Sequence, residues 1–195
     1  MSVLLVSLSG LATSWSTYQA QQWSGVQSSQ YTAAIGLHGE SGRLSIEAGQ
    51  QQAVDISAFI SFLSAYSAGR EDEAQFLRAR LRPEFRPAFE VWLASRPRDN
   101  PDAAPTPFAL PEYRLQLKDD AARVAAEAQG RFIEGEQANE HSDQYVLMAV
   151  VLSTAMFFAA ICQPLQVRRL QLGLIVLATV LLLSALYNLA VLPSR

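Results

Sequence analysis

Charge is scarce in this chain of 195 residues and is almost absent from both ends. Residues 1–39 contain no Asp, Glu, Lys or Arg, and the last 52 residues contain only Arg168, Arg169 and Arg195. Charged residues make up 17% of the chain, below the ~25% of typical soluble domains, which argues against a wholly soluble protein. The charged middle holds 12 basic and 18 acidic residues, and this acidic balance disfavours nucleic acid as a partner.

Residue patterns that carry catalysis are lacking as well. The single cysteine, Cys162, lies in an apolar run, which excludes an intramolecular disulfide. The segment GESGR is the nearest approach to a nucleophile elbow, but Arg43 stands where that motif needs glycine. Lys118 is the only lysine, and no glycine-rich loop ends in Lys-Ser or Lys-Thr. The sequence therefore predicts a protein that is not an enzyme.

Histidine is limited to His38 and His141. Glu136 and Glu140 precede His141 one helical turn apart, so their carboxylates could share a cation. Carboxylate-bridged metal sites in helices use Glu-x-x-His pairs, and no acid stands at that spacing here. A solvated acidic helix face explains the same residues, so we predict no metal and no cofactor.

Two long uncharged runs follow the charged middle. The first occupies residues 143–167, which carry no charge after Asp143, and the second occupies residues 170–192. Each is longer than the ~20 residues that a helix needs to cross a bilayer. The sequence therefore predicts two transmembrane helices joined by a tight turn.

The N-terminal segment, residues 1–23, predicts a further span. Its apolar start lacks the basic residues of a secretory signal, which favours a retained transmembrane helix. It is poor in leucine after residue 11, so the span could begin upstream of Met1. Four aromatic residues are placed as an interfacial belt, namely Trp15, Tyr18, Trp23 and Tyr145.

Basic residues in short loops predict the orientation. Arg168 and Arg169 form the only basic pair between closely spaced spans, so they should face the cytoplasm. Residues 24–142 and Arg195 then lie on the other side. We expect a multi-pass protein of the bacterial cytoplasmic (inner) membrane, with the lipid bilayer as a partner and a periplasmic middle domain.

The middle domain, residues 24–142, is predicted to be helical. One helix should run from the first span to residue 66, with Ala68 and Gly69 as its C-terminal cap, and another from residue 112 to Pro164. Short helices should lie between residues 71 and 95, with a turn at residues 82–87, because Pro83 and Pro87 cannot both lie inside one regular helix. Seven of the nine prolines lie between residues 83 and 111, so residues 96–111 should form an extended connection. The predicted fold is an all-α integral membrane protein with about three spans and a long antiparallel helical stalk that carries the short helices at its tip.

Periodicity assigns core faces to these helices. The first apolar face consists of Val54, Ile56, Phe59, Ile60, Leu63 and Tyr66. The second consists of Leu117, Ala121, Val124, Ala128 and Phe132. The 36, 39, 42 spacing of glycines either lets another helix approach closely or marks a break.

Two polar sets are candidate interaction sites. Residues 13–36 form a charge-free surface that permits close helix contact, and four glutamines on it could line a polar passage or a packed interface: Gln19, Gln22, Gln27 and Gln30. Arginines cluster around the Pro83 turn: Arg78, Arg80, Arg82 and Arg86. They either recognise an acidic partner or pair internally with Glu84, Glu90 and the acids at 71–73.

The strings SWSTYQAQQWSGVQ, RPEFRPAFEVWLA and NPDAAPTPFALPEYRL are followed by a charged helix and two terminal spans. Together they resemble a family of small, functionally uncharacterised bacterial membrane proteins. The resemblance covers nearly the whole chain except a shorter first span, and it implies membrane location and a bacterial source but no functional residue.

Two hypotheses for function follow from these patterns. The first is a non-enzymatic homo-oligomer, either a scaffold or a pore, whose helices pack side by side through the charge-free surface. The alternative is a ligand-binding or sensor module. Because almost nothing is predicted to lie in the cytoplasm, such a module would need a membrane-protein partner for its output.

Overall fold

The computed structural model describes residues 2–97 and 100–195, and every regular element in these two ranges is helical. The elements are α1 (Ser2–Ser67), α2 (Glu71–Ala79), α3 (Arg86–Ala94), a 3-10 turn (Pro107–Ala109), α4 (Gln116–Ile161) and α5 (Arg168–Val191). This confirms the all-α prediction. The chain divides into two compact units: unit 1 contains residues 1–35 and 128–195, and unit 2 contains residues 36–127.

Two helices of the described chain, α4 and α5, are long and apolar enough to cross a membrane. Helix α1 does not meet the same criterion of length and hydropathy, so the span at residues 1–23 stays a prediction. α5 begins at Arg168, two residues before the predicted start, and ends at Val191. α5 therefore coincides with most of the second predicted run, whereas α4 ends at Ile161, six residues before the end of the first run at 167.

Helix α1 ends where its glycine predicts. Gly69 adopts a φ of 71°, a left-handed conformation that costs glycine little. The backbone N–H of Arg70 donates to the carbonyl of Ala65 at 3.0 Å, which closes the helix end. By contrast, the 36, 39, 42 glycines neither break α1 nor bring another helix of the chain close, since an added Cβ at each would meet open space.

Aromatic rings form the main core of unit 2. They come from the end of α1 and from α3, with the core members Phe59, Phe62, Phe85, Phe89 and Trp92. Phe62 and Phe89 meet edge to face at 4.7 Å between ring centroids, a geometry that aromatic pairs prefer. The turn between α2 and α3 contains Pro83, and Pro87 lies at the start of α3, as the two prolines predicted.

The proline-rich connection is packed onto this core. Trp92 Nε1 donates to the carbonyl of Ala104 at 3.0 Å, and Phe108 stacks on Phe85 with 5.1 Å between ring centroids. Its described residues, 96–97 and 100–111, are irregular apart from the 3-10 turn, and α4 begins at Gln116, four residues later than expected. Proline removes backbone donors from this segment, and Pro107 is itself buried.

The predicted core face of α1 is wrong for most of its members. Val54, Ile60 and Leu63 are 62%, 60% and 41% exposed, whereas Asp55 and Phe62 are buried. The predicted face and the observed buried face both satisfy helical spacing, and Phe59 belongs to both. The aromatic rings of α3 and the ion-pair partner of Asp55 select the observed face.

A smaller cluster in unit 2 joins α1 to the start of α4. Leu44 packs against Ala121 and Val124, and Ser41 Oγ donates to the carbonyl of Ala121 at 2.9 Å. This confirms the predicted face of α4 in unit 2. Its last predicted member, Phe132 in unit 1, is instead 41% exposed.

Unit 1 is built from small residues. Leu152, Ala155 and Ala159 of α4 are buried against Ala178 and Ala185 of α5. Small side chains let helix backbones approach closely, which is the usual way that helices pack in lipid.

The segments of α1 and α4 in unit 1 run antiparallel, because residues later in α1 contact residues earlier in α4. Ser16 Oγ donates to the carbonyl of Tyr145 at 2.7 Å, and Tyr31 lies against Gly135. A Cβ at Gly135 would lie 2.5 Å from the Tyr31 ring, so any larger residue there would force that side chain to move.

Candidate functional site

An open groove of about 740 Å³ lies between α1 and α4 in unit 1. One wall contains Thr13, Thr17 and Gln21, and the other contains the apolar side chains of Val150 and Phe157. Its other lining residues are Ala20, Ser24, Ser142, Val146, Ala149, Ser153 and Thr154. None of the twelve lining residues is charged, so the groove is suited to an apolar or neutral occupant.

Most hydroxyl groups of the groove donate to backbone carbonyls, usually within their own helix, although Ser142 Oγ donates across to the carbonyl of Ala20 on α1 at 3.0 Å. Thr13 Oγ1 donates to the carbonyl of Ser9 at 2.7 Å, and Thr154 Oγ1 donates to the carbonyl of Val150 at 2.9 Å. A hydroxyl that bonds back to the preceding turn can lie in hydrocarbon without leaving a donor unpaired. Gln21 also lines the groove, is exposed, and carries a carboxamide that needs a partner in an apolar setting.

The four predicted interfacial aromatics separate into two pairs. Trp15 and Tyr18 are 50% and 51% exposed on α1, as an outward-facing belt requires. Trp23 and Tyr145 are buried, and both donate to the carbonyl of Pro193, at 3.0 Å and 3.3 Å. The second pair therefore holds the segment after α5.

Gln19 is the other residue that binds this segment, and its side chain is fully buried. Its Nε2 donates to the backbone oxygen of Arg195 at 2.8 Å, and its Oε1 accepts from the Arg195 backbone N–H at 2.9 Å. The Arg195 guanidinium lies over the Trp23 ring, 4.6 Å from its centroid, as a cation–π contact. We define residues 192–195 as the C-terminal latch.

The other three predicted glutamines have different surroundings. Gln22 Nε2 donates to the Tyr18 hydroxyl at 2.6 Å, and Gln27 Nε2 donates to the Asn139 carboxamide oxygen at 2.8 Å. Gln30 Oε1 accepts from Arg131 at 3.5 Å. Within one chain the four side chains do not converge on a common passage, since Gln19 is enclosed by the latch and Gln27 is paired with α4.

Arg168 and Arg169 are both exposed at the first turn of α5. Positive charge at a helix N-terminus opposes the helix dipole, so intrahelical electrostatics do not favour these residues there. Their position between two apolar helices is instead the one that basic residues occupy in short cytoplasmic loops.

Most of the arginine cluster in unit 2 is paired internally, which favours the second sequence interpretation over recognition of an acidic partner. Arg78 forms a bidentate ion pair with Glu90, and the pKa of Arg78 is raised by that hydrogen bond. Arg86 donates to the carbonyl of Ala79 at 3.1 Å near the end of α2, and Arg80 lies over the Phe76 ring at 3.6 Å.

Arg82 forms the most enclosed ion pair of the described residues. It donates two hydrogen bonds to Asp55, at 3.1 Å and 2.9 Å, and its side chain is 22% exposed while that of Asp55 is 1% exposed. The Tyr113 hydroxyl also donates to Asp55 at 3.1 Å. Burial, followed by the charge of Asp55, raises the pKa of Tyr113 well above its usual value.

The sequence interpretation missed Asp55 because it fell inside a segment read by apolar periodicity. A lone acid one residue from an apolar position, with no basic residue one turn away on α1, was the available signal. Its partners lie 27 and 58 residues further along the chain, which local spacing does not reveal.

No group of three or more His, Cys, Asp or Glu side chains that could hold a metal ion occurs among residues 2–97 and 100–195. Glu136 and Glu140 are exposed on α4. The His141 ring instead packs on Trp23, with 4.6 Å between ring centroids.

Comparison of the chain with protein-family models, with curated proteins and with solved structures finds no match.

Proposed function

We propose that this protein is a non-enzymatic scaffold of the bacterial inner membrane that associates with copies of itself through unit 1 and holds unit 2 on the extracytoplasmic side. The groove between α1 and α4 is the observation that carries the proposal. It is uncharged, most of its hydroxyls donate to backbone carbonyls, and the exposed carboxamide of Gln21 is left to hydrogen-bond a neighbouring helix.

Three spans are proposed for unit 1, formed by the start of α1, the end of α4 and α5. The apolar composition of α4 and α5 supports two of them. The antiparallel contacts of α1 with α4 support the third, because Ser16 contacts the start of the α4 span. We extend this pairing to the predicted stalk, with α2 and α3 at its tip. Arg168 and Arg169 then face the cytoplasm.

A second copy is the occupant that we propose for the groove. A lipid chain could fill its volume but offers no partner for the Gln21 carboxamide, whereas a neighbouring helix offers backbone carbonyls and hydroxyls. A scaffold is favoured over a pore. Gln19 and Gln27, two of the four glutamines that could have lined a passage, are engaged within the chain.

Mass measurement of the purified protein in detergent tests the proposal. We expect a species of at least two copies, and Thr154→Trp should shift it toward the monomer because the indole fills the groove. Val180→Trp is the matched control, since Val180 is 58% exposed on α5 outside the groove. A strictly monomeric protein over a broad range of protein-to-detergent ratios would remove the proposal.

The alternative, a ligand-binding module that acts through a partner membrane protein, has less support. The arginines that could have bound an acidic ligand are largely occupied: Arg78 by Glu90, Arg82 by Asp55, and Arg86 by backbone carbonyls. Co-purification of a stoichiometric membrane-protein partner with the monomeric chain would favour it.

A further inference from the structure

Helix α1 has two opposite apolar faces in unit 2, and only one of them has a partner among the described residues. The inner face, which includes Leu44, Ala48 and Phe62, is buried against the rest of unit 2. On the other side, Ile46 and Ile60 are 66% and 60% exposed. An apolar surface of this extent on a soluble unit usually marks an interaction site.

The exposed face follows a heptad repeat. Alternating spacings of four and three residues place Gly39, Ile46, Ala53 and Ile60 at the first core position. The second core position is occupied by Gly42, Gly49, Ile56 and Leu63. All eight residues are exposed, and we name them the heptad seam. A seam of this period over more than three heptads is typical of helices that wind around a second helix.

The chemistry of the seam suits an identical partner. None of its residues is charged, and its glycines have open space around them, which allows a second helix to approach closely. The nearest charges lie off the seam on α1, where Arg43 pairs with Glu40 at 2.6 Å and with Glu47 at 3.0 Å and one carboxylate per copy stays uncompensated. The seam itself therefore brings no charge of one copy against a charge of the other.

We propose that the heptad seam of unit 2 pairs with the heptad seam of a second copy as a parallel coiled coil. The inference rests on the proposed function, because anchoring both copies in one membrane makes the pairing parallel. The seam is a strip ~36 Å long and ~10 Å wide, so pairing would bury roughly 700 Å² of surface summed over the two copies. This buried area is less than the ~1,200–2,000 Å² of stable interfaces. Pairing of the seams therefore also requires the high effective concentration that two copies have when they are anchored in one membrane.

Disulfide formation between copies tests the seam directly. In full-length protein carrying Cys162→Ala and reconstituted in lipid vesicles, Ala53→Cys places a thiol on the seam, and Val54→Cys places one ~100° around the helix. Both positions are exposed, so neither change disturbs the core of unit 2. We expect Ala53→Cys to form the intermolecular disulfide about tenfold faster or more. Equal rates for the two variants would overturn the inference.

A charge on the seam provides an independent test. Ile60→Arg should weaken association in detergent about tenfold or more, because pairing would bury two unpaired guanidinium groups. Ser61→Arg, at the exposed neighbouring position, should leave association unchanged. If Ile60→Arg associates as strongly as the wild type while Thr154→Trp dissociates, the seam is wrong and the proposed function stands. A monomeric wild type would overturn both.

Discussion

Unit 2 and unit 1 are held together by different kinds of side chain. Unit 2 buries large aromatic rings, among them Phe85 and Phe89, around an enclosed ion pair. Unit 1 buries alanines such as Ala155 and Ala178 where α4 meets α5, and its buried hydroxyls and its buried amide Gln19 bond to backbone. Water drives large apolar rings together, whereas helices in lipid gain from close contact of small residues. The contrast is the one expected if unit 2 lies in water and unit 1 in the membrane.

The enclosed ion pair offers the largest test of this contrast. Asp55→Ala should destabilise unit 2 by up to about 3 kcal/mol, because it removes the acceptor of the Tyr113 hydroxyl and leaves the Arg82 charge with only Gln51 and the exposed Glu84. Urea unfolding in mild detergent, followed by the fluorescence of Trp92 in a Trp15→Phe, Trp23→Phe background, would measure the loss.

Glu90→Gln is the control for that experiment. The Arg78–Glu90 pair has side chains 45% and 37% exposed, and exposed ion pairs contribute about 0–1 kcal/mol. If Asp55→Ala and Glu90→Gln lower the free energy of unfolding equally, the burial of Asp55 has no effect on stability.

Substitution of two glycines of α4 tests the close helix packing of unit 1. Gly135→Ala should destabilise unit 1 by about 1–3 kcal/mol, because the new methyl group would overlap the Tyr31 ring. Gly130→Ala, which meets open space on the same helix, should instead stabilise by up to ~1 kcal/mol. Thermal unfolding in the same detergent would measure the change in stability of each variant. A change of the same sign in both variants would contradict the packing described.

The C-terminal latch should respond to Gln19. Gln19→Leu removes two hydrogen bonds to Arg195 and should cost roughly 1–2 kcal/mol. Thermal unfolding in detergent would measure this loss. Gln22→Leu, which changes an exposed amide, is the control, and unchanged stability of Gln19→Leu would show that the latch does not stabilise unit 1.

Alkaline pH should weaken unit 2 through Tyr113. Its folded-state pKa is raised above the ordinary value of 10.0, so the protonated hydroxyl stabilises the fold fully below pH 10, and this contribution is lost as the pH rises further. Tyr113→Phe should cost about 1 kcal/mol at neutral pH and reduce the loss above pH 10. Stability measured from pH 8 to 11 would show the difference, and identical pH profiles would exclude Tyr113 as its cause.

Local signals predicted much of the fold. The proline pattern around Pro83, the capping glycine Gly69 and the uncharged runs at residues 143–167 and 170–192 each set an element through its own sequence. The buried face of α1 did not follow in this way. Two overlapping faces satisfy helical spacing there, and the choice depends on residues of α3 and on Arg82.

The polar contacts depend even more on distant residues. The sequence analysis included Glu90 among the possible partners of the arginine cluster, because Arg78 and Glu90 lie near the same turn. The partners of Gln19 and Asp55 were not, since they lie 176 and 27 residues away along the chain. Spacing within one helix carries no information about such contacts.

Accessibility of introduced cysteines tests most directly whether unit 1 spans the membrane with unit 2 outside the cytoplasm. In a Cys162→Ala background, Gln52→Cys lies on the exposed surface of α1 in unit 2, and Gln166→Cys lies in the exposed turn before Arg168. A membrane-impermeant thiol reagent is added to intact cells whose outer membrane has been permeabilised. We expect labelling at position 52 and none at position 166 until the cells are lysed. Labelling at position 166 alone would contradict the proposed orientation.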